Sequence, residues 1–207
     1  MMYSYPVHRR DPLMRNPEFD KQAVLRNAMN TFMEYGYAKT SMQKLTLATG
    51  LHPGSIYCAF GNKQGLLLQA IAQYQQDKNE EFLNFFTNNA TVIDNLTAYL
   101  NHIVEQCTRC DTSKVCLLTK TLSEVSGHDP TIMSVLTDNL ETYQRALTAQ
   151  FSQAIDNKEI ISDKSATELA QFFAMGIYGL RTYSQSHPDP HVLDTLAQHL
   201  LACVCTR

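Results

Sequence analysis

Two stretches of this 207-residue chain carry side chains whose type and spacing could do chemistry. The first is CTRCDTSKVC, in which Cys107, Cys110 and Cys116 stand near Arg109, Lys114 and Lys120. Cations and a helix N-terminus both favour thiolate over thiol, and thiolate is the form that attacks oxidants and electrophiles. A helix beginning after Asp111 to Ser113 would place its N-terminus here. His102 with the three cysteines makes four ligands of the kind zinc takes, although a lone CxxC without a second pair is a weak metal signature. Three readings stay open on these residues: a thiol sensor, a metal site, or small side chains around a pocket for an organic ligand.

The second stretch is TSMQKLTLATGLHPGSIYCAFGNKQGLL, residues 40–67. It offers hydroxyls, two lysines and a histidine, and not one carboxylate. The chain as a whole carries a net charge of −3, so the omission needs a cause. Residues 1–75 hold eight Lys/Arg against four Asp/Glu, a net of +4, and the remainder carries −7. A basic head on an acidic body is what a protein needs if the head meets a polyanion. No GxGxxG, P-loop, HExxH or βαβ pattern points to an enzyme. A helical thiol enzyme is the reading from another class, and it leaves the carboxylate-free stretch unexplained. No catalytic residue and no cofactor is therefore expected.

The elements that position these residues follow from hydrophobic spacing. Nearly every segment shows the helical period and almost none alternates like a strand, so the fold class is all-α. Val24, Leu25, Ala28, Phe32 and Met33 line one face of a helix that stops at Gly36. Thr40 or Ser41 caps a short helix ending at Gly50, and Pro53 sits in the first turn of another that stops at Gly61. Asn62 caps a long fourth helix running toward Phe82. Two short helices joined by the tight turn TGLH are a helix-turn-helix, whose second helix lies in the DNA major groove. Carboxylates on that surface would face phosphates. The expected contacts are Thr40, Ser41 and Lys44 from the first helix, His52, Pro53, Gly54, Ser55, Tyr57 and Cys58 from the second, and Lys63 beyond it.

These residues also carry a resemblance. GLHPGSIYCAFGNKQGLL, with Gly54, Ser55, Ile56, Tyr57, Phe60 and Lys63 at the characteristic positions, resembles the signature of TetR/AcrR-type one-component transcriptional regulators. Tyr35, Gly36, Tyr37 and Thr40 fit the same pattern. Pro53 and Ala59 depart from it, which shifts specificity toward His52, Ser55, Cys58 and the N-terminal arm. The resemblance implies a helical body, a homodimer, and repression from a palindromic operator on double-stranded DNA, relieved by a small-molecule effector.

The expected organisation is a flexible arm over residues 1–17, a helix-turn-helix domain over 18–64, and a ligand-binding and dimerisation domain over 65–207. A composition of 44% hydrophobic and 18% charged residues excludes a disordered chain. Its apolar runs fall short of a membrane span. MMYSYPVHRRDPLMRNP lacks the apolar stretch of a secretion signal, so a cytoplasmic protein with reduced cysteines is expected. Leu169, Phe173, Gly176 and Leu180, with Leu193, Leu196 and Leu200 after the SHPDP break, form two stripes suited to a four-helix dimer interface. In the middle segment His102, Lys120 and Tyr143 join the cysteines as candidate sensor residues, with a metal-responsive set of His102, Cys107, Cys110 and Cys116 as the alternative. The fourth helix, shared by head and body, would carry the signal between them.

Overall fold

The computed structural model describes residues 19–88, 90–109, 115–125 and 129–205. Among these residues the chain forms nine helices and no strand: α1 (Lys21–Tyr35), α2 (Met42–Thr49), α3 (Pro53–Phe60), α4 (Lys63–Asn84), α5 (Val92–Thr108), α6 (Leu117–Val125), α7 (Pro130–Asp156), α8 (Ala166–Tyr183) and α9 (Pro190–Val204). The expected arm at residues 1–17 lies outside the described residues, as does Cys110.

Local chemistry sets most of these boundaries. Asp20 accepts hydrogen bonds from the amides of Gln22 and Ala23 at the start of α1. Ser41 caps α2 and Asn62 caps α4, each with a side-chain oxygen on an amide three residues on. Each such cap is worth about 1 kcal/mol. Asp129 and Asp189 cap α7 and α9 ahead of a proline at the first helical position, and Ser165 with Glu168 forms a reciprocal capping box on α8. Helix α6 begins at Leu117, later than the sequence suggests.

Two hydrophobic cores result, and they do not divide at residue 65. The first joins Phe32 of α1, Leu45 of α2, Ile56 and Phe60 of α3 and Leu66 and Ile71 of α4. It then continues into the body, taking in Leu117 and Leu118 of α6 and Ile132 and Leu136 of α7. The second is built from α5, α7, α8 and α9 around Leu96, Ile103, Phe151, Phe173 and Leu193, and it also buries Phe82 at the far end of α4. Helix α4 therefore threads both cores.

Helix α6 fastens the head to the body at one corner. Its Lys120 Nζ donates to the carbonyls of Met33 and Glu34 at 2.7 and 3.4 Å, where α1 ends with no basic residue of its own in the last turn. A cation there satisfies orphan carbonyls and complements the helix dipole. One turn on, Glu124 accepts from the Ala38 amide at 3.0 Å. Gly36, at φ 81°, lies against the Glu124 carboxylate so closely that a Cβ would collide with it. Gly36→Ala therefore strains the backbone and pushes the Glu124 carboxylate off the corner, and should cost about 1–3 kcal/mol in urea unfolding. An unchanged midpoint would show that the corner is looser than described.

Candidate nucleic-acid interface

The α2–α3 pair presents the surface expected of a helix-turn-helix. Gly50 adopts the left-handed conformation at φ 69°, and Thr49 Oγ1 accepts from the Leu51 amide at 3.3 Å, fixing the turn. Leu45, Ile56 and Phe60 point into the core. On the other side His52, Gly54, Ser55, Tyr57 and Cys58 are exposed, with Pro53 half-buried at the start of α3. Tyr57 keeps half its surface in solvent, a large cost for an aromatic side chain without a partner. The His52 imidazole makes no capping bond. Gly54 leaves the backbone bare at the helix start. Ser41 is exposed at the head of α2, its oxygen occupied in capping through the Lys44 amide.

Three expected phosphate contacts turn out differently. Thr40 is only 1% exposed, and its hydroxyl donates to the Gly36 carbonyl, so it holds the α1–α2 corner and cannot reach a phosphate. Lys63 Nζ donates to the carbonyls of Tyr37 and Thr40 at 2.9 and 3.1 Å and lies over the Tyr37 ring. It is a strut between the start of α4 and that corner. Lys44 is half-buried with its ammonium 3.4 Å from the Tyr35 ring centroid, a cation–π contact that restrains it while leaving its charge on the head. Lys39, one of the cations counted in the head, is exposed on the α1–α2 loop one residue before the carboxylate-free stretch.

In the body, the structure separates the predicted sensor residues. Tyr143 lines a cavity of about 50 Å³, partly open to solvent, together with Cys116. Its hydroxyl lies 3.0 Å from that of Tyr99. Cys107 is buried in the second core and does not line this cavity. His102 is held 2.6 Å from Glu81, which also pairs with Lys78. Burial alone would raise the Glu81 carboxyl, but Lys78 and His102 outweigh it and hold it below the usual carboxylate range. Lys120 is the α1 clamp and not a cavity residue. Among the described residues no three His, Cys, Asp or Glu side chains gather as metal ligands, so the metal-responsive reading gains no support here.

The comparisons with known proteins agree with this arrangement. The family "Tetracyclin repressor-like, C-terminal domain" matches residues 92–200, more than half of the chain, and "Bacterial regulatory proteins, tetR family" matches residues 24–70. The chain belongs to the TetR family of DNA-binding transcriptional regulators. It is similar to the HTH-type transcriptional repressor ComR of Escherichia coli strain K12, 28% identical over 163 residues, which cover 78% of each chain. The structure of a TetR-family regulator from Agrobacterium tumefaciens shares the fold with a TM-score of 0.81 at 19% identity, covering 92% of this chain and all of the other. So does CifR, solved as a cysteine mutant with a 26-base-pair operator duplex: TM-score 0.78 and 23% identity, covering 90% of this chain and 98% of that one.

The TetR-family body also shows where the predicted dimer stripes lie. Leu169, Phe173 and Leu193 are buried in the protomer's own core, so they cannot meet a second copy. Gly176 is packed under Leu200, the close approach of α8 and α9 within one chain. The large exposed apolar side chains of α8 and α9 are Phe172, Met175, Tyr183, Val192 and Leu196. Gly176, Gly179, Leu180, Tyr183, Val192, Leu196 and Leu200 line a shallow groove of about 450 Å³ between the two helices. The stripes are wider than one face, and their sequence period alone does not say which edge stays outside. No helix among the described residues is long and apolar enough to cross a membrane.

These placements separate two kinds of head residue. Tyr57→Ala should weaken duplex binding by tenfold or more while leaving thermal stability nearly unchanged, since the ring is exposed. Lys63→Ala should lower stability by about 1–3 kcal/mol, the worth of charged hydrogen bonds to buried carbonyls. Fluorescence anisotropy on an operator paired with urea unfolding distinguishes the two. A Lys63→Ala protein of native stability would return that lysine to the phosphate-contact list.

Proposed function

We propose that the protein is a cytoplasmic homodimeric repressor that is not an enzyme, holding a palindromic operator through two α2–α3 heads and released when an effector acts on the body. The observation that carries this is the exposed α3 face: a histidine, a serine and a half-exposed tyrosine side by side, with no carboxylate anywhere in residues 40–67. ComR, similar along most of its length, is a repressor. CifR, of the same fold, is known on operator DNA.

A second copy is the occupant that fits the α8–α9 groove. Phe172, Met175 and Leu196 expose apolar surface on consecutive turns of the last two helices, and Met175 is 61% exposed. Apolar surface concentrated this way marks an interaction site. A two-fold pair would place two heads against half-sites about one helical turn, roughly 34 Å, apart.

Two helices run from the cavity to the head. Tyr74, Gln75, Lys78 and Asn79 of α4 and Leu118 of α6 line the cavity, while α4 begins at the Lys63 strut and α6 carries the Lys120 and Glu124 clamps. An effector in the cavity, or modification of Cys116 beside it, would favour a body state in which these helices sit differently. A coupling of about 1–3 kcal/mol is typical of such switches. Of the described thiols, Cys116 is the one in the cavity lining.

Selection of bound duplexes from a random pool tests the operator reading. An inverted repeat is expected, with log affinity falling linearly against log salt. Failure to enrich any motif would remove the assignment. Leu196→Glu should convert the dimer to a monomer in analytical ultracentrifugation and lower affinity for the full repeat by at least a hundredfold. If it remains a dimer, the interface lies elsewhere.

A further inference from the structure

Four tyrosines from four different helices line the cavity: Tyr74 of α4, Tyr99 of α5, Tyr143 of α7 and Tyr178 of α8. Burial pushes the Tyr99 phenol up to about 12 and raises the other three, so all four are neutral hydroxyls at physiological pH. Not all of their hydrogens are in use. Tyr74 is hydrogen-bonded with the Cys116 thiol. Tyr99 and Tyr143 lie oxygen to oxygen at 3.0 Å, and two hydroxyls that share one bond use one hydrogen and leave the other. Among the described residues, Tyr178 makes no hydrogen bond through its hydroxyl. The cavity thus holds two O–H donors without an acceptor. Its cations, by contrast, are already satisfied: Lys78 pairs with Glu81, and Arg181 donates to Gln106 Oε1 at 2.6 Å and is held by at least one further contact.

Resting on the reading of this body as a sensor, we propose that the cavity binds a small uncharged carbonyl compound, whose oxygen takes the spare hydrogen of the Tyr99–Tyr143 pair and that of Tyr178. A carbonyl oxygen offers two lone pairs and no donor, so it can accept both. A phenol oxygen lends electron density to its ring and donates more readily than it accepts, which disfavours a ligand that brings donors of its own. A charged ligand would give up its hydration where both cations already have partners, a cost nothing in the lining offsets. A hydrocarbon would leave the two hydrogens dry. The carbon chain lies against Leu118 and Ile177, the aliphatic part of the lining. The cavity has about 50 Å³ of room. A single water needs about 10–15 Å³ by this measure, so roughly three to five heavy atoms fit. The half-buried Gln75 and Asn79 of α4 mark the open side, by which a longer chain would leave.

Butanone, propionate and 2-methyl-1-butene share nearly one shape and carry, in turn, a neutral acceptor, a charge and neither. Ligand-observed NMR on the full chain reads binding without DNA, and anisotropy on the operator reads release separately. Butanone is expected to bind saturably at millimolar concentration, about tenfold or more tightly than propionate. Tyr178→Phe keeps the ring and removes a hydroxyl that has no protein partner. It should weaken butanone by about threefold to tenfold at an unchanged melting temperature, the worth of one neutral hydrogen bond. The same variant should bind methylbutene as tightly as the native chain or more so, a split that a general disturbance of the cavity would not produce. Three results overturn the proposal: propionate as tight as butanone, no saturable binding of butanone at millimolar concentration, or a Tyr178→Phe chain in which butanone is unchanged or both neutral ligands weaken alike. A chain that binds butanone but no duplex would sink the regulator reading and leave this site standing. One that selects an operator and ignores butanone would do the reverse.

Discussion

The corner between α1 and α2 is the point on which the rest of the molecule depends. Four polar side chains converge on the backbone of residues 33–40. The Thr40 hydroxyl and Lys63 bind their carbonyls from within the head, and Lys120 and Glu124 bind from the body. The corner leaves carbonyls and an amide unsatisfied at the end of a helix, and such groups must find partners when enclosed. Side chains from α4 and α6 answer that need at long range. The orientation of α2 and α3 is thereby tied to elements that also line the body cavity.

The body tolerates polar groups for a related reason. Arg181, Gln106 and Glu81 form a chain that ends on Lys78 and His102, and no buried side-chain nitrogen or oxygen is left without a partner among the described residues. A network satisfied along its length can sit beside a core where an isolated charge could not. Phe82 closes the same region edge-on to Tyr99 and Tyr143. Aromatic packing and hydrogen bonding thus share one set of tyrosines.

Much of this fold was legible from the residues because its boundaries are local. Asp20, Ser41, Asn62, Asp129 and Ser165 announce their helices within three positions, and Gly36, Gly50 and Gly61 end theirs. The exposed face of α3 followed from the helical period alone. Thr40 and Lys63, expected at phosphates, and Lys120, expected in the sensor, are instead bound to backbone carbonyls, those of Lys63 and Lys120 far off in sequence. For Lys120 those partners are 86 and 87 residues distant, and spacing carries no trace of such a bond. Leu169, Phe173 and Leu193 were misplaced for another reason. A helix buried on one flank and apolar on the other looks the same in sequence, and Met175 and Phe172 mark the outer flank only once α7 and α9 are seen to cover the inner one.

Helix α6 is nine residues long, a rod of about 13.5 Å with its first turn at the cavity and its last at the corner. Rotating such a rod by ~5° about its cavity end carries the far tip by about 1 Å, enough to stretch a 3.0 Å hydrogen bond beyond useful length. The hydrogen bond at the corner is thus sensitive to small shifts of the cavity end of this helix. A stiff, short rod of this kind turns a slight tilt at one end into the loss of a contact at the other.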